Sequence, residues 1–210
     1  TDKSVKILKS LKIKNLKYFL SNKHTSLYAA RNLAIKKSKG EYIGFIDVDD
    51  LWEKNKLKQQ IELFNDEKTV LVYGNSWLKN EKNNKKKKFI NYEVKDGYIY
   101  KDLIKNYNVG ILTALIKKSL LKKSKVNFDS KYDIIGDYDF FIRLSKKYKF
   151  RFIKQPVATY RIHQKNLSTL KKEKEIKEFF YWIKKNKRIL TKEDYLKIRE
   201  KIHKLEFINL

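Results

Sequence analysis

The sequence has no cysteine, no methionine and a single proline, Pro156, in 210 residues. Without cysteine there is no disulfide, no thiolate nucleophile and no thiolate metal site, and the composition fits a reducing compartment. No uninterrupted apolar run approaches the ~20 residues that a membrane-spanning helix needs. The first apolar residues are interleaved with lysine, unlike a secretion leader. No internal repeat is visible. Arginine is scarce as well: only six of the 51 basic residues are Arg, and the other 45 are Lys. Sequence-specific readers of nucleic acid lean on arginine for bidentate contacts to bases, so the formal charge of +27 does not point to a specific nucleic-acid partner. A lysine excess spread along the whole chain reads first as a solvated surface, and second as attraction to an anionic membrane face.

What is present suffices for a folded body. The chain is 41% hydrophobic and 14% aromatic, long enough for one domain with a full core plus an appendage. Residues 1–11 read as the end of a helix, with Val5, Leu8 and Leu11 on one stripe and Thr1 or Asp2 as its cap. Leu16 to Leu20 reads as a short strand. Ser26 to Lys37 reads as a helix with Leu27, Ala30 and Ala34 facing inward, and Tyr42 to Ile46 as a buried strand. Lys54 to Phe64 reads as a helix with Leu57, Ile61 and Phe64 on its buried side, and Thr69 to Tyr73 as a β-branched strand. Residues 80–88 form a solvated loop between hairpin strands, and a helix follows Gly97. Leu112 to Ile116 is a strand, Gly136 to Tyr148 a helix, and Phe150 to Ile153 and Val157 to Tyr160 are extended on either side of Pro156. This alternation predicts an α/β layer architecture. Two amphipathic helices close the chain, one carrying Ile176, Phe179, Phe180 and Ile183, the other Tyr195, Ile198, Ile202 and Leu205. Thr191 and Asp194 have the spacing of a capping box with Asp in place of Glu. Docking on the main body is the first reading of these helices; partner binding or a membrane surface comes after it.

The chemistry-bearing segments are three. Asp47-Val48-Asp49-Asp50 follows the apolar run Tyr42-Ile43-Gly44-Phe45-Ile46. Carboxylates crowded at a strand end raise one another's pKa unless a cation neutralises them. A hard divalent ion, Mg²⁺ or Mn²⁺, with positions left for phosphate oxygens answers that need; a plain Asp-rich turn, with Asp50 as a helix cap, is the competing reading. Gly136-Asp137-Tyr138-Asp139 opens a helix, where the positive dipole end favours a carboxylate. Tyr160-Arg161-Ile162-His163 follows an extended segment. Together they would supply a metal site, a base, and a cation or imidazole, the equipment for displacing a phosphorylated leaving group.

Several of these segments, in this order, resemble family 2 glycosyltransferases of the GT-A fold. The segments that carry the likeness are Ala30-Arg31-Asn32-Leu33-Ala34-Ile35, Gly40-Glu41-Tyr42-Ile43, the acidic cluster with Trp52 after it, Asn127-Phe128-Asp129, Gly136-Asp137-Tyr138-Asp139-Phe140-Phe141 and Tyr160-Arg161-Ile162-His163. The likeness covers roughly residues 1–168, leaving 169–210 as a C-terminal helical appendage. It implies a mixed sheet flanked by helices. It implies that Asp47 and Asp49 form the Asp-x-Asp pair that holds the divalent metal and the sugar-nucleotide diphosphate, and that Asp137 is the base that deprotonates the acceptor hydroxyl. Asp50 lies beside the donor sugar or caps a helix. His163 reaches the metal or diphosphate or is structural, and Arg161 neutralises phosphate or pairs with an acid inside the fold. Arg31 and Asn32 line the nucleotide pocket or pack beneath the strand. Asp139 reads as a surface helix charge.

The implied activity is metal-dependent, inverting transfer of a sugar from a nucleotide-diphosphate donor to a hydroxyl on a glycan or lipid-linked acceptor, with Mn²⁺ or Mg²⁺. The implied setting is cell-surface glycan synthesis, cytoplasmic or peripheral on the inner face of the membrane. The chain departs from the pattern twice. Gly136 stands where the family usually has Glu, and the family's first two strands, which cradle the nucleobase, are expected to lie before Thr1. This stretch alone is therefore expected to bind nucleotide poorly. The rivals are a basic nucleic-acid-binding module, which the core periodicity of the aromatics disfavours, and a non-catalytic scaffold with the same fold.

Overall fold

A continuous run of eight buried residues, Thr69 to Ser76, forms the heart of the structure. In the computed structural model, which describes residues 3–164, 166 and 170–207, this run belongs to β3 (Thr69–Asn80), the central strand of a six-stranded mixed sheet. The others are β1 (Tyr42–Gly44), β2 (Leu51–Trp52), β4 (Lys86–Lys88), β5 (Leu115–Lys117) and β6 (Lys149–Ile162). The order is β1-β5-β3-β6-β2, with β4 paired to the far end of β3. β3 and β6 run parallel and every other pair is antiparallel. A strand flanked on both sides and covered on both faces reads as unbroken hydrophobicity, and Val70, Leu71, Val72 and Tyr73 have no exposure. The helices are α1 (Ser4–Ser10), α2 (Leu27–Lys37), α3 (Lys56–Ile61), α4 (Tyr100–Lys105), α5 (Lys118–Ser124), α6 (Gly136–Ser145), α7 (Lys172–Asn186) and α8 (Lys192–Phe207). The expected α/β layering with closing helices is the observed one. The expected cap at Thr1 or Asp2 and the boundary at 168/169 lie outside the described residues.

Four expectations need correction. Leu16 to Leu20 is not a strand: no strand among the described residues pairs with it, and Phe19 and Leu20 are exposed. An apolar run becomes a strand through the ladder it joins, and composition alone supplies none. Pro156 does not divide two strands. β6 runs through it, and the register to β3 shifts around Asn75↔Pro156, so a bulge absorbs the proline's missing N–H. A 3-10 turn, Ile111–Thr113, replaces the start of the strand expected at Leu112, and β5 begins at Leu115.

Helix faces are the fourth. α3 exposes Leu57 and Ile61 and buries Lys56 and Gln60. Gln60 Nε2 donates to the carbonyls of Val72 (2.8 Å) and Thr113 (2.7 Å), and Lys56 Nζ donates to Gln60 and to Thr113 (3.3 Å). Backbone acceptors that the sheet leaves free beneath the helix select polar side chains over apolar ones. Likewise α2 turns Tyr28 and Arg31 inward and exposes Leu27. At the other end of the chain, Phe179, Trp182, Ile198 and Ile202 from α7 and α8 join Tyr138, Phe140 and Phe141 of α6 in one apolar cluster. Thr191 and Asp194 exchange the capping-box bonds, Asp194 N–H to Oγ1 at 3.2 Å and Thr191 N–H to Oδ2 at 3.0 Å.

Candidate active site

β1 stops at Gly44, and the chain turns through the acidic cluster, closed by the Asp50 N–H bond to the Asp47 carbonyl (3.1 Å). β2 follows at once, pairing Leu51 with Thr159 and Trp52 with Ala158. Trp52 Nε1 donates to the Leu112 carbonyl at 2.9 Å. The turn is thereby pinned at both ends and set beside the C-terminal end of β6. Each carboxylate has a different partner. Asp47 accepts both oxygens' worth of bonding from Arg31 Nη2, at 2.8 and 3.0 Å. Asp49 Oδ2 lies 3.0 Å from His163 Nε2. Asp50 is buried and accepts the Arg161 N–H at 3.0 Å. Burial pushes the Asp50 carboxyl up to about 6; the Arg161 N–H works against this, and the neighbouring Asp49 and Asp47 add to it.

The remaining predicted residues divide. Arg31 is buried, with Tyr28 and Phe45 rings at 5.5 and 6.0 Å. Asn32 pairs with the backbone of Phe128, donating to its carbonyl (2.8 Å) and accepting its N–H (3.0 Å). It thereby ties α2 to the segment ahead of α6. The Arg161 guanidinium turns to Glu81, at 3.1 and 3.2 Å, and its backbone serves Asp50. Asn166 braces the turn after β6, with Oδ1 accepting the His163 N–H at 2.6 Å and Nδ2 donating to the Arg161 carbonyl at 3.2 Å.

Asp137 opens α6. Part of its surface reaches solvent, yet protein surrounds it densely enough that burial pushes its carboxyl above the ordinary carboxylate value. The Tyr138 N–H (2.8 Å) and the positive charges of Arg31 and Lys201 oppose that rise. Arg31 is thus shared: its guanidinium grips Asp47 and its field acts on Asp137. Gly136 allows this approach, because a Cβ there would sit 2.5–2.6 Å from ring atoms of Tyr28. Asp139 corrects the sequence reading. It is buried, bonded to Arg143 (2.6 and 2.8 Å) and to Trp182 Nε1 (3.0 Å), and it fastens α7 to α6.

Whether a divalent cation fits can be judged from the donors. Asp49 and His163 offer a carboxylate oxygen and an imidazole nitrogen side by side, a mixed pair that suits Mn²⁺ better than the harder, oxygen-preferring Mg²⁺ and keeps positions for phosphate oxygens. Both oxygens of Asp47 are engaged by Arg31. Among the described residues no group of three acidic, His or Cys side chains is assembled for a metal, so an ion here would draw the rest of its coordination from a diphosphate.

A sequence profile described as Glycosyl transferase family 2 matches residues 1–128. The chain belongs to glycosyl transferase family 2. A UDP-Glc:alpha-D-GlcNAc-diphosphoundecaprenol beta-1,3-glucosyltransferase of Escherichia coli is 35% identical over 104 residues, 50% of this chain and 40% of that protein. An uncharacterized glycosyltransferase of Methanocaldococcus jannaschii is 29% identical over 167 residues, 78% of this chain and 57% of that one. The amylovoran biosynthesis glycosyltransferase of Erwinia amylovora is 28% identical over 213 residues, 91% of this chain and 66% of its own length. The chain therefore spans between 40% and 66% of these relatives. Among solved structures, S. aureus TarS in complex with UDP-GlcNAc superposes with a TM-score of 0.56 at 18% identity, over 79% of this chain and 48% of that one. The fold is that of the GT-A glycosyltransferases.

In this family 2 chain, sequence reasoning did not find Glu178, Trp182, Lys201 or Asn166. Glu178 of α7 accepts the backbone N–H groups of Asp133 (2.7 Å), Ile134 (3.0 Å) and Ile135 (3.0 Å), the residues that lead into α6. Periodicity marks apolar faces, so a buried carboxylate among the glutamates of a polar helix carries no sequence signal of its own.

Proposed function

We propose that the gene product carrying this chain is an inverting, metal-dependent glycosyltransferase that moves a sugar from a nucleotide-diphosphate donor to a hydroxyl of a glycan or lipid-linked acceptor in cell-surface polysaccharide synthesis. The observation that carries the reading is the way α2 joins the two carboxylates: Arg31 grips Asp47 at 2.8 Å, and Tyr28, three residues earlier, donates to the Ile134 carbonyl at 2.6 Å, just ahead of the α6 start that carries Asp137. It supports one cleft in which a donor diphosphate and an acceptor hydroxyl meet. Asp49 and His163 would hold the divalent ion, Mn²⁺ or Mg²⁺, with Asp47 entering its sphere when Arg31 releases an oxygen. When bound, the ion supplies Lewis-acid stabilisation of the departing diphosphate. Asp137 takes the proton from the acceptor hydroxyl as that oxygen bonds to the anomeric carbon, and the bond from that carbon to the diphosphate oxygen breaks. The raised proton affinity that burial gives Asp137 suits a base.

The activity for which the E. coli relative is named suggests a lipid-linked acceptor, and the UDP-sugar complex of TarS suggests the donor class. No helix among the described residues is long and apolar enough to cross a membrane; the lysine-rich surface is suited to peripheral contact with anionic lipid at the cytoplasmic face. On this reading residues 1–168 carry donor and base, and 169–210 brace the base.

The test is Asp137→Asn in the full-length gene product with a UDP-sugar donor. Base catalysis contributes ~10²–10⁴-fold, so transfer should fall by that factor while donor affinity stays near wild type. A chelator should weaken donor binding, and Mn²⁺ or Mg²⁺ should restore it. Turnover of Asp137→Asn near wild type would refute the assignment.

A further inference from the structure

The ammonium of Lys201, on α8, sits among three aromatic rings: Phe179 at 4.6 Å, Tyr138 at 4.9 Å and Tyr107 at 5.1 Å from Nζ to ring centroid. Tyr138 directly follows Asp137 on α6, and Phe179 is one helical turn beyond Glu175 on α7. The hydroxyls of Tyr107 and Tyr138 are buried with no hydrogen-bond partner among the described residues. A lysine in an apolar or aromatic enclosure is costly to keep charged. Cation–π attraction to the rings offsets part of that cost, as do nearby carboxylates.

We infer that Lys201 is a positioning residue for the base: from the C-terminal helix it delivers a positive charge, through a box formed by Tyr107, Tyr138 and Phe179, to the carboxylate of Asp137. The inference rests on Asp137 being the base proposed above. The charged and titratable groups around the pair come from every packed element. Arg31 and Tyr28 approach from α2, Tyr107 from the segment after α4, and Glu175 and Glu178 from α7. Burial lowers the Lys201 amine below its usual value, and Glu175 and Asp137 pull it back up. Burial raises Glu175; Lys201 lowers it, and Asp137 raises it further. Asp137 and Glu175 therefore share one cation, and its removal should push the Asp137 carboxyl up. A lysine that merely fills the box would be replaced by a methionine without moving that titration.

The experiment is a ¹³C NMR titration of the Asp137 side-chain carboxyl in the full-length gene product, with the resonance assigned by its loss in Asp137→Asn. Lys201→Met should raise the Asp137 midpoint, the direction that loss of an opposite charge gives, and Lys201→Arg should return it to the wild-type value. If Lys201→Met does not fold, Lys201→Gln carries the same test. A midpoint that is the same in wild type and the neutral variant overturns the inference. The failure of the base assignment is separate: it would appear as retained transfer in Asp137→Asn, whatever the titration shows.

Discussion

Gly136→Ala sets two effects of opposite sign against each other. Alanine is favoured over glycine in a helix by up to ~1 kcal/mol, less at the first helical position. The added Cβ, however, would lie 2.5–2.6 Å from three ring atoms of Tyr28. That ring cannot swing away. It is buried, its hydroxyl donates to the Ile134 carbonyl at 2.6 Å, it stacks on Phe128 at 5.5 Å, and Arg31 covers it at 5.5 Å. Forcing a methyl into a filled core costs about 1–3 kcal/mol, so the clash exceeds the helix gain and a net loss of about 1–2 kcal/mol is expected. For a chain of this size each kcal/mol lowers Tm by roughly 2–4 °C, which gives a drop of roughly 2–8 °C in a thermal melt followed by circular dichroism. The double variant Tyr28→Leu/Gly136→Ala should lose less than the sum of the single changes, since the clash is absent. Equal or higher stability of Gly136→Ala would refute the reasoning. The same contact predicts that restoring the family's usual glutamate, Gly136→Glu, destabilises more than alanine does.

Glu178→Ala leaves three backbone N–H groups without their acceptor. At about 1–3 kcal/mol for each unsatisfied group, partly relieved by water, a loss of at least ~3 kcal/mol is expected in urea unfolding, and Glu178→Gln should lose less. Lys56 is buried with no carboxylate beside it among the described residues, and burial lowers its amine to about 7. Between that value and the ordinary lysine value the unfolded chain binds more protons than the folded one, so this residue makes stability rise with pH across that window, by up to ~1.4 kcal/mol per unit. Lys56→Met should flatten that rise in denaturation curves taken from pH 7 to 10; an unchanged slope would contradict it.

The elements legible in the sequence were those whose signal is local. The α6 helix, the apolar β3 and the Thr191–Asp194 box follow from periodicity and capping chemistry, and each is present; α2 is present too, but turned to a different face from the one its apolar spacing marks. The acidic turn was legible because several carboxylates after an apolar run have few inexpensive explanations. Features that depend on a distant partner were not legible. Lys56 and Gln60 are buried because free carbonyls of Val72 and Thr113 lie beneath α3, and no pattern within residues 56–61 encodes those acceptors. Asp139 reads as a surface charge until Trp182, 43 positions later, donates to it. Leu16 to Leu20 shows the converse, an apolar run with the composition of a strand and no ladder to join among the described residues.

The same distinction explains how three carboxylates within four residues are tolerated. The chain spreads their cost over unlike partners: a guanidinium for Asp47, an imidazole for Asp49, and burial against a backbone N–H for Asp50. Asp50 is the most deeply buried of the three, and burial raises its carboxyl. Arg31 has a second role, because the charge that steadies Asp47 also opposes the rise at Asp137. An anion that docks on Arg31 offsets part of that field. On the reading proposed here, a donor diphosphate reaching the acidic turn therefore raises the proton affinity of Asp137, and the base strengthens when the electrophile is in place. On the same reading Lys201, on α8, opposes that rise as a second positive charge.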